Sequence, residues 1–439
     1  MLIVPLHHFR SFLFLHREQL DVWLGKPFCL WLFHSRHCKT GFAIMSTYNC
    51  RMTTLKEFFL LDPDVVFLNH GSYGATPKPV FEEYQNWQRR LERQPVLFLG
   101  RELPALMRES RAALGNYLNA DVDDLVYIPN ATHGVNIAAR SLELKPQDEV
   151  LTTDHEYGAC DYTWQFNCSK SGASYIHQPI PLPVHSEDEI VNQFWRGVTP
   201  RTKVIYLSHI TSPTALRLPV EKICGRAREA GILTVIDAAH APGQIRFDLR
   251  ALGADIVFGN CHKWMLSPKG AAFLYVRRAV QDLIDPLVVS WGTHPTSDIA
   301  TGSRFIDLLQ WTGTKDPTAA LAVPAAIRFM QDHAWEEVRL RCHLLLRDAI
   351  ERISEQTGLA PLYPLDSDFY SQMGIAPLPP SDLVALKARL YEEYKIEVPL
   401  IEWQDRHFVR ISIQCYNTPQ DVDTLIGALS VLLPQVEMT

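Results

Sequence analysis

The sequence predicts an α/β fold, in which a large domain with a mainly parallel central sheet flanked by helices precedes a smaller C-terminal α+β domain. Three observations carry this. Short, almost wholly apolar runs of strand length recur through the middle of the chain, as parallel strands covered on both faces require. Stretches with helical apolar spacing alternate with them, the pattern of successive βαβ units. Beyond Thr318 the texture changes to a long helical pattern, a proline-rich bend and one clear strand. A chain of 439 residues with 47% apolar content can bury a core of this size.

In chain order, residues 1–51 read as an extension, 52–75 as an N-terminal segment, 76–320 as the large domain and 321–439 as the small one. The first fifty residues are rich in His, Phe, Leu and Arg and almost free of acids, Glu18 and Asp21 excepted. Their longest apolar run, Phe28 to Phe33, is far too short to span a membrane. The composition suits an organellar transit peptide, or a stretch upstream of a true start at Met45 or Met52, and poor order is expected. Val65–Leu68 is a short strand running into the turn-rich Asn69-His-Gly-Ser-Tyr-Gly74, with Pro77 and Pro79 behind it. Pro79–Leu91 and Leu103–Leu118 have helical spacing. The strand Leu125–Ile128 precedes a helix over Thr132–Leu142, and Glu149–Thr153 precedes a helix from Gly158. Lys203–Ser208 precedes the helix Pro219–Ala230, and Leu233–Asp237, Ile256–Phe258 and Ala271–Val276 complete the apolar series. The helical pattern Ala319–Gly358 leads to the bend at Pro361 and Pro364, the strand His407–Ile413 and a last helix, Pro419–Leu433.

Net charge is −7 with both signs scattered, which argues against nucleic-acid binding. Nine cysteines lack CxxC or Cys/His ligand spacing, so reduced thiols in a cytoplasmic protein are expected, with no disulfide framework and no metal. No transmembrane helix is visible, and a soluble protein is expected.

The chemistry concentrates at strand ends. Lys263 follows the buried run Ile256-Val-Phe-Gly-Asn-Cys-His262, so it emerges at the edge of the sheet where α/β folds place ligands. Asp237 ends the neighbouring apolar strand, where a buried carboxylate requires a cationic partner. A lysine and an acid so placed suit pyridoxal 5'-phosphate: the amine forms a Schiff base and the carboxylate pairs with the pyridinium nitrogen. A helix N-cap is the structural alternative for Asp237, disfavoured by Pro242-Gly243 just behind it. His240 can reach the phenolic oxygen, or can be a satisfied core histidine. Pro129-Asn-Ala-Thr-His-Gly134 joins a strand to a helix, so Ala131 N–H, Thr132 N–H and the Thr132 hydroxyl are phosphate donors, with His262 on the other side. In Asp154-His-Glu-Tyr-Gly158, His155 is the first choice and Tyr157 the second for a ring stacked on the cofactor. The Ser208–Ser212 strand end can offer a hydroxyl to the ring oxygen, and Ser212 is taken as its donor. Arg410 is a candidate fork for a substrate carboxylate, with an interdomain salt bridge as the alternative.

Together these motifs resemble fold-type I pyridoxal-phosphate enzymes of the class V aminotransferase superfamily, over about Leu55 to the C-terminus. Asp237-Ala-Ala-His240, Cys261-His-Lys-Trp264 and Arg410-Ile-Ser-Ile-Gln-Cys-Tyr-Asn417 carry the likeness. Phe67-Leu-Asn-His-Gly-Ser-Tyr-Gly74, Phe98-Leu-Gly-Arg-Glu102, Pro129-Asn-Ala-Thr132, Asp154-His-Glu-Tyr-Gly158 and Glu397-Val-Pro399 are similar to its isopenicillin N epimerase-like branch. The resemblance implies a fold-type I aminotransferase-like architecture and a homodimer with shared active sites. It makes Lys263 and Asp237 catalytic and Arg410, Ser72 and Tyr73 substrate-binding, and it takes Thr314, in Trp311-Thr-Gly-Thr314, across to the neighbour's phosphate. The implied activity is epimerisation at an amino acid α-carbon, with C–S lysis of cysteine-derived sulfoxides or transamination as alternatives. A non-catalytic scaffold is disfavoured by the intact lysine, aspartate and arginine. Desulfurase-type persulfide chemistry lacks its nucleophile, because no cysteine lies between Cys342 and Arg410.

Overall fold

A computed structural model describes residues 54–294 and 300–436. The expectations for residues 1–51 lie outside the described residues. After β1 (Val66–Phe67) the chain makes one helical turn, His70–Tyr73, and then forms α1 (Lys78–Arg93) and α2 (Leu103–Leu118). The alternating series follows: β2 (Leu125–Ile128), α3 (Ala131–Ser141), β3 (Glu149–Thr153), α4 (Gly158–Ser171), β4 (Ser174–Gln178), α5 (Glu187–Trp195) and β5 (Thr202–Ser208). It continues through α6 (Val220–Glu229), β6 (Leu233–Asp237), β7 (Ile256–Asn260) and β8 (Ala272–Val276).

These strands form one seven-stranded sheet in the order β2-β8-β7-β6-β5-β3-β4. The β3–β4, β3–β5, β5–β6 and β6–β7 pairs are parallel, and β8 runs antiparallel to both of its neighbours. Every residue of β2, β3, β6 beyond Leu233, β7 and β8 is buried, as a sheet covered on both faces demands. Since β2, β3, β5, β6 and β7 all point one way, their C-terminal loops gather along one edge.

The C-terminal part contains α7 (Val323–Asp332), α8 (Trp335–Thr357), β9 (Met373–Leu378), α9 (Leu383–Tyr394), β10 (Ile396–Glu397), β11 (Leu400–Trp403), β12 (Arg406–Ser412) and α10 (Pro419–Val436). An antiparallel sheet β11-β12-β9 rests on α8. The N-terminal segment joins it: β1 pairs with β10, and Asn69 bridges to Ser412.

The structure departs from the sequence reading in three places. The helical pattern 319–358 is broken into Thr318–Leu321, α7 and α8, with Ala334 left-handed at φ 47°. Pro324 begins α7 as a first-turn proline without an N–H to continue the preceding turn. The apolar spacing runs through the break because all three pieces face the same core. The edge strand β4 has only half-buried and exposed residues and carried no apolar run. Helix α5 was also unforeseen, although Ser186 caps it by accepting from Glu189 N–H at 3.1 Å, the pairing a Ser-x-x-Glu motif announces. Among the described residues no helix is long and apolar enough to cross a membrane, and no His/Cys/Asp/Glu group suits a metal ion.

Candidate active site

The C-terminal edge of the large sheet opens on a cavity of about 400 Å³, within the usual range for small-molecule sites. Its lining brings together Ser72, Tyr73, Ala131, Thr132, Tyr157 and Ser212 with Asp237, His240, His262 and Lys263. The lining from Pro129 to Gly270 meets because five strand ends point the same way, and the His70–Tyr73 turn adds Ser72 and Tyr73 from outside that sheet.

Lys263 sits just past β7, and its backbone is held from the N-terminal segment. The His70 ring is buried and lies 3.1 Å from the Lys263 carbonyl oxygen through Nε2, while Nδ1 lies 2.8 Å from the Tyr416 hydroxyl. Gly74, at φ +71°, crosses so closely that a Cβ would overlap the His262 carbonyl oxygen and press on Lys263 Cα at 2.9 Å. Burial brings the Lys263 amine down to about 8, opposed by the nearby Asp237 carboxylate and reinforced by Arg410. A fraction of the amine is therefore free at neutral pH, as a nucleophile or base requires.

Asp237 ends β6 and is buried. Its Oδ1 accepts from Ala239 N–H at 2.7 Å and its Oδ2 lies 3.5 Å from Cys160 Sγ. It forms no ion pair among the described residues, and burial pushes its carboxyl upward. His240 lies with Nε2 3.2 Å from Lys263 Nζ and Nδ1 3.2 Å from the Trp264 indole nitrogen.

At the helix N-terminus the donor set is smaller than the sequence suggested. Asn130 caps α3 by accepting from His133 N–H, and Ala131 N–H donates to Asn260 Oδ1 at 3.0 Å. Ala131 N–H is thus already engaged, and the Thr132 N–H and hydroxyl remain at the first turn of α3, where no intrahelical acceptor exists. His262 lines the same end, kept neutral by burial with its ring lowered to about 4, and Nδ1 lies 3.2 Å from the Ala271 carbonyl oxygen.

Of the two aromatic candidates after β3, Tyr157 lines the cavity, and His155 does not. The His155 ring is fully buried, with Nδ1 2.8 Å from Thr214 Oγ1, Nε2 2.7 Å from the Ile180 carbonyl oxygen and its face against Trp403 at 4.4 Å between centroids. Both nitrogens are used structurally, which corrects the order of preference toward Tyr157. Thr314 also lies outside this cavity; in the single chain it borders another one with Gln88, Leu99 and Lys315.

Arg410, on β12 of the small sheet, is not itself among the residues lining the cavity and stands behind two that are, Ser72 and Ser212. Nη1 donates to the Ser212 carbonyl oxygen at 2.5 Å and to its hydroxyl at 3.1 Å, and Nη2 to the Ser72 hydroxyl at 3.4 Å. Arg410 is buried, and its Nε–H has no acceptor. No carboxylate pairs with it among the described residues, so the salt-bridge alternative for this residue finds no partner. Desolvation lowers the guanidinium to about 10, still charged at neutral pH.

Three residues of the site escaped sequence reading. Asn260 orients the α3 turn, and Cys160 touches Asp237. Glu156 is buried behind them; its Oε1 accepts from Thr153 Oγ1 at 2.7 Å and its Oε2 from Ser208 N–H and Oγ at 2.9 and 2.6 Å. Burial pushes this carboxyl up to about 7. The rule that singled out Asp237, an acid at a strand's end, picks Asp154 after β3, and Glu156, two residues further on, carried no sequence signal of its own.

The residues present fit the expected cofactor: an amine, a carboxylate that is buried without a counter-ion among the described residues, and a helix N-terminus whose Thr132 hydroxyl and N–H have no acceptor among them. Comparison with known proteins agrees in kind. The aminotransferase class-V family model matches residues 67–373. The chain is 34% identical to an isopenicillin N epimerase of Amycolatopsis lactamdurans, over 86% of this chain and 97% of that one. It is 28% identical to a probable chloroplastic L-cysteine desulfhydrase of Arabidopsis thaliana, over 86% of this chain and 85% of that one. Among solved structures, the apo cysteine desulfurase of Thermococcus onnurineus NA1 superposes with a TM-score of 0.72 at 20% identity, covering 87% of this chain and 98% of that one. The cystine C–S lyase C-DES, solved with its product cysteine persulfide, superposes at 0.71 and 21% identity, covering 84% and 98%. At these identities the structures speak for the fold alone.

Proposed function

The chain belongs to the aminotransferase class-V family, and on that premise we propose a pyridoxal-phosphate-dependent enzyme acting at the α-carbon of an amino acid or amino-acid-derived substrate, isopenicillin N epimerase-like in its activity. One observation carries the reading. Arg410, buried, with its Nε–H unsatisfied and no carboxylate partner among the described residues, stands directly behind Ser72 and Ser212, which line the cavity that also holds Lys263 and Asp237. Uncompensated burial of a guanidinium costs several kcal/mol, on the order expected for any buried ion, and a substrate carboxylate removes that cost.

Pyridoxal 5'-phosphate, when bound, supplies a carbonyl carbon for amine exchange and a ring that stores the electron pair left by a broken α-bond. Lys263 would hold it, Asp237 would accept the ring N–H, and Thr132 with His262 would receive the phosphate. Ala131 contributes through the turn it shapes, Ser212 through its hydroxyl, and His240 faces the lysine. The Nε–H and remaining Nη2–H edge of Arg410 grips the substrate carboxylate, with Ser72 and Tyr73 alongside. This fixes which α-bond is labile. Lys263 Nζ, free of its proton, takes the α-proton. Epimerisation needs a second acid on the opposite face. Tyr157 is the candidate, exposed at the cavity and with its hydroxyl raised from its usual value by burial, hence protonated.

A second reading, C–S lysis, is supported by the relatives named as L-cysteine desulfhydrases. Incubating the cofactor-loaded protein with amino acids in deuterium oxide separates the two. Label entry at Cα with inversion and no pyruvate supports epimerisation; pyruvate, ammonia and a released sulfur product support lysis; a keto acid supports transamination. No exchange with any substrate sinks all three. We also propose a homodimer in which Thr314 serves the partner's phosphate, testable by sedimentation and by cofactor affinity in Thr314→Ala. The six described cysteines are all free and buried, which supports the expected reducing, cytoplasmic setting.

A further inference from the structure

Beside Lys263 stands a side chain that no step above uses. Trp264 is fully buried, its ring centroid 4.9 Å from that of His70, and its indole nitrogen lies 3.2 Å from His240 Nδ1. An indole nitrogen can only donate. His240 Nδ1 must therefore be the acceptor, with its lone pair toward the indole. The imidazole is neutral, because burial holds it well below its usual value and Lys263, Arg410, His70 and His262 all oppose its protonation. A neutral imidazole with Nδ1 bare carries its hydrogen on Nε2. That Nε2–H lies 3.2 Å from Lys263 Nζ, and a donor facing a nitrogen at that distance makes a hydrogen bond only to an unprotonated amine.

We infer that Trp264 is a positioning residue: its indole N–H locks His240 in the Nε2–H tautomer, and that N–H selects the free-amine form of Lys263. The groups facing Lys263 frame the effect. Asp237 at the end of β6 favours the ammonium, as does Cys160 of α4 more weakly, while Arg410 of β12 disfavours it. Burial and Arg410 set the general level, and the tautomer decides whether the nearest hydrogen-bonding neighbour helps or hinders the proton. Were His240 to carry its hydrogen on Nδ1, the bare Nε2 would accept from the ammonium and reverse the preference. The His240 backbone is held independently, since the Gln244 side-chain amide donates to its carbonyl oxygen at 2.7 Å.

The inference rests on Lys263 being the cofactor's point of attachment, so its test is made on cofactor-free protein. The rate at which acetic anhydride labels Lys263 is followed against pH by peptide mass spectrometry, in wild type and Trp264→Phe. Phe keeps the apolar ring and removes the N–H. In wild type the amine should titrate near 8. In the variant, a new hydrogen bond to the ammonium should shift the titration upward by at least about one unit, giving about tenfold less free amine at pH 7. An unchanged titration in a variant with native circular dichroism overturns the inference. If Trp264→Phe does not fold, nitrogen-15 histidine NMR of the wild type decides, with His240→Gln used only to assign its resonances. The His240 resonances, identified by their absence in His240→Gln, should show a protonated Nε2 and a bare Nδ1, and the opposite pattern overturns the inference. A wild type that shows the expected titration yet takes up no pyridoxal phosphate would count against the cofactor reading instead, so the two failures are distinguishable.

Discussion

Replacing Arg410 with lysine probes the proposed carboxylate site most directly, because it keeps the charge and changes the geometry. A guanidinium has five N–H donors. Two Nη1 bonds go to Ser212 and one Nη2 bond to Ser72, leaving Nε–H and one Nη2–H free on the same edge. That edge matches the two oxygens of a carboxylate. Lysine at this position offers one point donor, so at least one charged hydrogen bond is lost. At about 1.5–3 kcal/mol for such a bond, substrate affinity should fall about 10- to 150-fold. The assay titrates the cofactor's absorbance in wild type and Arg410→Lys with an amino acid and with the matching amine that lacks the carboxylate. The amine should bind the two proteins within about threefold of each other, since distant or absent interactions do not couple. An equal loss for acid and amine, or no loss for the acid, would refute the assignment.

Lys263→Ala should abolish the mass increment that borohydride reduction leaves on the wild-type residue, and should slow α-proton exchange by about 10²–10⁴-fold or more; full activity in this variant would end the mechanism. Gly74→Ala forces a left-handed residue against the backbone of His262 and Lys263. A loss of at least about 1–3 kcal/mol in urea unfolding is expected, together with weaker cofactor binding. Glu156 has a folded-state value near 7 against 4.5 for the free side chain. The folded protein then binds more protons than the unfolded chain between those values, so this group makes stability fall as pH rises from about 4.5 to 7, by about 3 kcal/mol in total. Glu156→Gln should flatten that part of the pH–stability profile; an unaltered slope would show that another group carries it.

The alternation of apolar strands and helices was readable because burial on both faces leaves β2 and β8 wholly apolar, β7 apolar up to Asn260, and β6 with Thr234 as its one polar residue before Asp237. The same logic exposed Lys263 and Asp237, since a charged group directly after such a run has few structural reasons to be there. Elements whose sequence is shaped by partial exposure, such as β4, or whose apolar face continues through a break, such as 319–358, were not legible. Periodicity reports which face is buried, and it is silent on where the backbone interrupts itself.

What the chain's own sequence determined was the fold class, the family and the residue types available for chemistry, because these follow from local patterns and short motifs. Tertiary structure alone decided which of them meet. It turned His155 into the core against Trp403, left Tyr157 at the cavity, engaged Ala131 N–H with Asn260 and gave Arg410 no counter-ion among the described residues. It also set Trp264, His240 and Lys263 in line. Each of these depends on distances between strand ends remote in sequence, and a hydrogen bond or an unpaired charge exists only once those distances are fixed.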